Sequence, residues 1–438
     1  MQILNWQSLN QQAKSNALAR SPLVGDSNLE QSVAQIIDAV SEQGDSALFE
    51  FNQKFDGINI DNLKLSKTEI EQSCAKVSFE IKQAIAQAKA NIECFHTAQI
   101  QPSIDIETQS GIRCELRSEA IERVGLYIPG GTAPLISTVL MLALPAKIAG
   151  CCKRVLVSPP PINDAIVYAA NECGIDEIYQ VGGAQAIAAL AFGTETIPQV
   201  DKIFGPGNRF VTEAKRAVSQ DNRCTVSIDM PAGPSEVLVI ADALANPEFV
   251  AADLLSQAEH GADSQVMLVT DCELFANNVN QALIEQLAKL PRAEIAAEAL
   301  KCSRSIIVND MAMAAQVSNQ YGPEHLIIQT EQPRQVLKNI RAAGSVFVGA
   351  YTPESVGDYA SGTNHVLPTY GYSKTVSSLS LADFSRRFTV QELSADGLKT
   401  LSNSVMVLAE AEQLDAHKNA IAVRIASLDN NNLVNSEA

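Results

Sequence analysis

The sequence predicts an α/β protein with two Rossmann-like halves, each an incomplete parallel-sheet domain, and helical modules at its N- and C-terminal ends. Three observations carry this expectation. Between residues 125 and 348, short β-rich runs alternate with helix-like ones, as in βαβ units that build a parallel sheet. Glycines gather where the strands of the first series end. Finally, 438 residues exceed one ordinary core and suit roughly two to four domains. The expected division is a helical segment at 1–28, a first Rossmann-like domain from 29–126 with 236–384, a second at 127–235, and a helical module at 385–438.

Within 29–98 the apolar positions recur at helical spacing, as in Val33, Ile36, Ile37 and Val40. A strand is expected at 125–128, running into Pro129, Gly130 and Gly131. Three strand–helix pairs follow, at 154–158 with 162–173, 177–181 with 184–192, and 202–204 with 209–219. A second series places strands at 237–240, 266–270, 305–308, 326–329 and 345–348, with a helix at 247–260. A mixed loop at 350–376 leads to the C-terminal helices, which begin at about 385.

The turns Pro129-Gly130-Gly131, Gly182-Gly183 and Gly205-Pro206-Gly207 each join a strand to a helix. Open α/β folds bind ligands at such carboxyl edges, and helix N-termini favour anions. Each turn alone reads equally well as a tight βα connection. Three in succession point to a nucleotide site, and without a GxGxxG fingerprint its grip is expected to be unusual and weak.

A net charge of −18 argues against nucleic acid or an anionic membrane surface as partner. The residues before Ser21 lack the apolar core of a signal peptide. The apolar stretch 135–148 carries Ser137, Thr138, Pro145 and Lys147, so no membrane span is expected. Nine cysteines without a CxxC pair suit reduced thiols and a cytoplasmic location. Cys151 and Cys152 read as buried structural thiols rather than nucleophiles.

Four of the five histidines lie beyond residue 255, each near a possible oxygen ligand: His260 with Gln257, His325 with Glu324, His365 with Asp358, His417 with Glu412. Imidazole and carboxylate bind borderline divalent metals and move protons near neutral pH. His96 has no such company and reads as a surface residue. Gln257 and His260 share a helix face at three-residue spacing, although spacing alone favours helix-end capping. Glu324-His325 opens a strand, where both side chains can face one cavity and divide two proton transfers. Asp358 and His365 bracket a polar loop. Glu412 and His417 would stand about 140° apart on one ideal helix.

Several segments together resemble histidinol dehydrogenase. They are Ile228 to Glu236 (IDMPAGPSE), Leu255 to Gly261 (LSQAEHG), Tyr321 to Leu326 (YGPEHL) and Gly357 to His365 (GDYASGTNH), with Gly125 to Gly131 (GLYIPGG) and Ala416 to Asn419 (AHKN). The likeness runs from about residue 120 to 420 without a missing motif. It implies oxidation of L-histidinol through L-histidinal to L-histidine with two NAD, and a homodimer whose C-terminal module reaches its neighbour's site. By this resemblance Gln257, His260, Asp358 and His417 bind one zinc, His325 is the base for alcohol oxidation, and Glu324 activates water for the aldehyde step. Ser235, His365 and Glu412 join the metal ligands and His325 around substrate, and Tyr127, Gln185 and Asn208 contact NAD. It also assigns metal and catalysis to the first Rossmann-like domain and NAD to the second. Without the resemblance, a zinc-dependent hydrolase of a small nitrogenous substrate is the competing reading.

Overall fold

A computed structural model describes every residue except 21–26, 131–133, 231–232 and 437–438, with the side chains of 27 and 430–436 also outside the description. Gly131, Pro231 and Ala232 of the motifs above therefore lie outside the described residues. The chain divides into two compact units, one formed by 1–99 and 121–384, the other by 100–120 and 385–438.

In chain order the strands begin with β1 (Gln2–Asn5), β2 (Ile104–Gln109) and β3 (Ile112–Ala120). Five follow in the first α/β series: β4 (Arg123–Tyr127), β5 (Lys153–Ser158), β6 (Glu177–Gln180), β7 (Lys202–Phe204) and β8 (Ser227–Ile228). The second series supplies β9 (Glu236–Ala241), β10 (Gln265–Thr270), β11 (Arg304–Ile307), β12 (His325–Gln329) and β13 (Ser345–Val348), and β14 (Ser385–Leu393) comes last. The larger unit contains a five-stranded sheet, ordered β6-β5-β4-β7-β8, and a six-stranded one, ordered β1-β11-β10-β9-β12-β13. Both are parallel throughout.

Burial explains why the strand sequences read as they do. In β9, every residue of Glu-Val-Leu-Val-Ile-Ala is buried. Val237, Val239 and Ala241 join one apolar cluster, while Leu238 and Ile240 join the cluster on the opposite face. Helices cover both faces, so the strand is a continuous apolar run rather than an alternating one. The helix Ile136–Ala149 is buried from Thr138 to Ala146. Its all-round apolar character marks a helix enclosed by protein, and no helix among the described residues is long and apolar enough to cross a membrane.

The predicted elements from 154 to 348 match within one or two residues at most ends, and the expected strand at 125–128 corresponds to β4. The expected grouping of 29–126 with 236–384 needs correction, because Val33, Ile36, Leu48, Phe51 and Leu63 pack in one cluster with Tyr127, Val155 and Val211 of the five-stranded half, and so do the termini. The segment 1–28 is not purely helical, because β1 pairs with β11 on the edge of the six-stranded sheet. The C-terminal module likewise begins with a strand: β14 pairs antiparallel with β3, which pairs with β2. In β3 the charges Arg113, Glu115, Arg117 and Glu119 share one face and Ile112, Cys114 and Leu116 the other, but both faces are only partly buried, and β14 sets Arg386 and Arg387 on opposite faces, so no clear apolar face marks these strands. Main-chain pairing over the nine matched positions of β14 and β3 holds them together.

His96 is also corrected. It is wholly buried, on the face of the helix Phe79–Thr97 that packs on Ile136–Ala149. Its Nδ1 donates to the Ile92 carbonyl at 2.9 Å, and Nε2 accepts from Asn364 at 3.5 Å. Burial lowers its pKa, so it is a neutral core imidazole. Of the adjacent thiols only Cys151 is buried; Cys152 is exposed.

Candidate active site

The strand–helix sense of each sheet decides where the predicted residues gather. Tyr127 closes β4, Gln185 follows β6 in the helix Gly183–Phe192, and Asn208 follows β7 as the N-cap of Arg209–Ser219. All three therefore stand at the carboxyl edge of the five-stranded sheet, and all three line one cavity of about 430 Å³. The Tyr127 hydroxyl accepts from the Gly183 amide at 3.3 Å, and burial pushes its pKa up to about 12. The Asn208 Oδ1 accepts from the Phe210 and Val211 amides at 3.0 and 3.2 Å, which caps its helix.

Gly205 has no substitute in this edge. Its φ is +127°, and a Cβ would lie 2.1 Å from the Tyr127 carbonyl oxygen. Asp229, part of the Ile228–Glu236 motif, fastens the same turn. One carboxylate oxygen accepts from the Gly205 amide at 2.8 Å and the other pairs with buried Lys215, whose ammonium also donates to the Gly205 carbonyl.

The second group forms at the opposite kind of edge. Ser235 precedes β9, Glu324 and His325 open β12, and Gln257 lies in the last turn of the helix Pro247–Ala258. All of these mark the amino edge of the six-stranded sheet, where the C-terminal end of that helix contributes partial negative charge. His260 lies two residues past the helix rather than within it, its amide bonded to the Gln257 carbonyl at 3.2 Å.

His325 is the centre of the group. Its Nδ1 donates to the Glu236 carbonyl at 3.0 Å, which leaves Nε2 buried without a hydrogen-bond partner and 3.7 Å from Asp358. That separation is too long for a hydrogen bond. Glu324 and Glu354 approach Nδ1 at 3.6 and 3.8 Å. With its amide oriented to face donors with oxygen, Gln257 accepts from His325 Nδ1 at 3.2 Å and donates to Glu354 at 2.6 Å. Asp358 sits on the short helix Glu354–Tyr359, not in a loop. His365 is placed by Asp358's own carbonyl, which accepts from Nδ1 at 2.8 Å, while Nε2 accepts from Thr138 at 3.2 Å.

Burial is the largest influence on every one of these ionisable groups. It pushes Glu324 up to about 7 and Glu354 up to about 8. Burial opposes protonation of His325, but Glu354, Glu324 and Asp358 together outweigh it and raise its pKa well above the ordinary value. Asp358 is held low in spite of burial by the His325 ring beside it. His260 and His365 are lowered by burial, against the attraction of Asp358. Asp358 thus connects three histidines.

The donor set fits a zinc ion. Gln257, His260 and Asp358 offer nitrogen and oxygen ligands, the buried Glu354 Oε2 and His325 Nε2 lack partners, and a helix C-terminus favours a cation. Among the described residues, His325, Glu354 and Asp358 form a ligand-bearing group whose atoms lie within 4.8 Å of one another. Only Asp358 is common to that group and the predicted ligand set. Since the Glu236 carbonyl and Gln257 engage one ring nitrogen of His325, Nε2 is its remaining reactive position.

Glu412 and His417 belong to the smaller unit. They do not share one helix, which corrects the 140° estimate: Glu412 is the C-cap of Ala395–Ala411, and His417 lies in the first turn of Asp415–Ser436. Between them Gln413 adopts φ +60°. Both side chains are exposed in the isolated chain.

Sequence reasoning assigned no role to Glu354, Glu236 or Arg20. The Arg20 guanidinium grips the buried Glu236 carboxylate at 2.5 and 2.9 Å and donates to the Tyr321 and Gly322 carbonyls, so it braces the segment that delivers Glu324. Glu236 was visible as the end of a motif. Nothing local marks Arg20 or Glu354, whose roles arise from contacts made across the chain.

Comparison with known proteins places this geometry in context. A family model described as Histidinol dehydrogenase matches residues 20–425. The chain is 74% identical over 436 residues to a histidinol dehydrogenase of Shewanella oneidensis, covering 98% of this chain and all of that one. It is 57% identical over 426 residues to that of Escherichia coli K12, covering 97% and 98%. A crystal structure of histidinol dehydrogenase from Elizabethkingia anophelis superposes with a TM-score of 0.94 at 46% identity, covering 98% and 99% of the two chains.

Proposed function

This chain belongs to the histidinol dehydrogenase family, and on that premise we propose how its own residues divide the work. The enzyme is an NAD-dependent oxidoreductase of histidine biosynthesis, with NAD and zinc as cofactors and L-histidinol as substrate. The competing hydrolase reading is set aside. The observation that carries the division of roles is the buried Glu324-His325 pair, which meets Asp358 and Gln257 at one point.

In this reading Gln257, His260, Asp358 and His417 hold the metal, which when bound supplies a Lewis-acidic anchor for the substrate's nitrogens. Asp358, once engaged as a metal ligand, would no longer favour the imidazolium, and the neutral His325 ring would take the hydroxyl proton of histidinol at Nε2 as the carbon-bound hydride leaves for NAD. Its Nδ1, held by the Glu236 carbonyl, fixes the ring so that the other nitrogen faces Asp358. Glu324 then removes a proton from the water that adds to the aldehyde, and the hydrate loses a second hydride to a second NAD. A carboxyl group whose pKa is about 7 suits proton exchange at neutral pH. Ser235 and His365 bound the substrate, with His365 held by Thr138 and the Asp358 carbonyl.

The five-stranded half, 127–235, is read as the NAD domain through Tyr127, Gln185 and Asn208. The six-stranded half, built chiefly from 236–384, is read as the domain of metal and catalysis. A homodimer with shared sites is read from the family resemblance, Glu412 and His417 serving the neighbouring chain's substrate and metal. Nine free cysteines support a reducing, cytoplasmic setting.

The test is a coupled assay with histidinol and NAD. Two NADH per histidinol are expected, with activity lost on chelation and restored by zinc. One NADH per substrate with histidinal released would overturn the shared two-step site.

A further inference from the structure

The cavity of about 430 Å³ at the carboxyl edge of the five-stranded sheet contains a residue that no motif announces. Beside Tyr127, Gln185 and Asn208 it is lined by Ile36, Phe55 and Asp56, with Phe210 on the same wall. None of Gln257, His260, Glu324, His325 or Asp358 lines it. It therefore suits the part of a dinucleotide remote from the reacting carbon, namely the adenosine end. Its aromatic and aliphatic walls suit a purine ring; Phe55 is 51% exposed at the edge and stacks on Phe51 with ring centroids 5.4 Å apart.

Asp56 is placed there by local structure. The helix Asp45–Phe51 runs directly into a π-turn at Asn52–Asp56, which Gly57 ends with φ +69°. Such turns widen a helix locally and often occur at functional positions. Asn52, fully buried, donates to the carbonyl of Gln180 at 2.8 Å and so pins the turn to the carboxyl end of β6. Among the described residues no donor or cation pairs with the Asp56 carboxylate, and its Oδ2 is shut off from solvent. A half-buried carboxylate without partners is costly, and burial pushes its pKa up. Two hydroxyl donors would relieve that cost.

We propose that Asp56 accepts hydrogen bonds from the 2′- and 3′-hydroxyls of the adenosine ribose and thereby selects NAD over NADP; this rests on the reading that Tyr127, Gln185 and Asn208 contact NAD. The carboxylate oxygen that is not shut off from solvent can accept from a vicinal diol at the cavity wall, as acidic residues do in other dinucleotide sites. A 2′-phosphate would remove one donor and set negative charge against negative charge. No Lys or Arg is among the described residues that line the cavity, so a 2′-phosphate meets no counter-charge in its wall.

The experiment compares the zinc-loaded enzyme with Asp56→Asn and Asp56→Glu, using NAD and NADP at saturating histidinol, with ADP-ribose binding measured by calorimetry. Thermal unfolding establishes that each variant is folded. Asp56→Asn is expected to raise KM for NAD about 10-fold and weaken ADP-ribose similarly, the size of a lost hydrogen bond to a charged group. The change is expected in KM rather than kcat, and the preference for NAD over NADP in kcat/KM should narrow at least about 10-fold. Asp56→Glu, which keeps the charge, should continue to reject NADP. A preference unchanged in Asp56→Asn, or equal losses with both cofactors, would overturn the proposal. Gln185→Ala separates the two levels. If it leaves KM for NAD unchanged, the placement of NAD has failed; if it raises KM while Asp56→Asn leaves the preference intact, only the role of Asp56 has failed.

Discussion

Glu324 and His325 are neighbours in sequence, yet their environments suit different proton transfers. The imidazole keeps Nε2 without a hydrogen-bond partner beside Asp358, while the carboxyl group accepts from the Glu236 amide at 2.8 Å and is desolvated. His325→Ala should slow alcohol oxidation by about 100-fold or more, the usual size of a lost general base. Glu324→Gln should spare that step and slow oxidation of added histidinal; single-turnover measurements of each half-reaction check the division. Asp253 makes a separate prediction about stability. Burial pushes its pKa up to about 7, although Gln329 donates to it at 2.6 Å. A carboxyl group raised in the folded state stabilises below its unfolded pKa, and that contribution is lost as pH rises through about 7. Asp253→Asn should therefore flatten the fall in stability between about pH 4 and 7 and melt above the parent beyond that window. Glu324 and Glu354 titrate in the same window, so the difference between variant and parent curves is the informative quantity.

At the scale of elements, two edges of opposite sense carry the chemistry. The five-stranded sheet follows the general rule that open α/β sheets bind ligands beyond the carboxyl ends of their strands. The six-stranded sheet departs from it, since Ser235, Glu324 and His325 stand at strand starts and Gln257 at a helix end. The departure has an electrostatic consequence: helix C-termini favour cations, as helix N-termini favour phosphates. Gly205→Ala tests the carboxyl edge. Its Cβ would collide with the Tyr127 carbonyl in a backbone conformation that alanine resists, so it should cost about 1–3 kcal/mol and raise KM for NAD, read by thermal unfolding and steady-state kinetics. Arg20→Met tests the brace at the amino edge. Removing one partner of a buried ion pair leaves Glu236 uncompensated, with an expected loss of about 3–5 kcal/mol that denaturant unfolding would measure. The βαβ elements were legible because their strands are continuous apolar runs between helical periods. β2, β3 and β14 were not, because main-chain pairing holds strands whose side chains are mostly polar.

For the whole molecule, the proposed shared site makes a genetic kind of prediction. Chains carrying His417→Ala, mixed with chains carrying His260→Ala, should regain part of the parent activity through mixed dimers, because one of the two sites would then have all its ligands. Demonstrated heterodimers without activity would show that each chain builds its own site. The short break at Glu412 to Leu414, with Gln413 at φ +60°, turns two candidate residues from one helix face into the end of one helix and the start of another. Linear spacing on an assumed helix could not anticipate that break.

By itself the sequence determined the class of fold, the family and the residue types available for metal, base and cofactor, because these are written in local periodicity and contiguous motifs. Tertiary structure decided which of them meet. It brought Asp358 to three histidines, set Arg20 under Glu236, enclosed His96 in the core and carried Asp56 into the cavity of Tyr127, Gln185 and Asn208. The physical reason is that burial and hydrogen-bond partnership are properties of packed surfaces, made by residues hundreds of positions apart, and no local pattern encodes them.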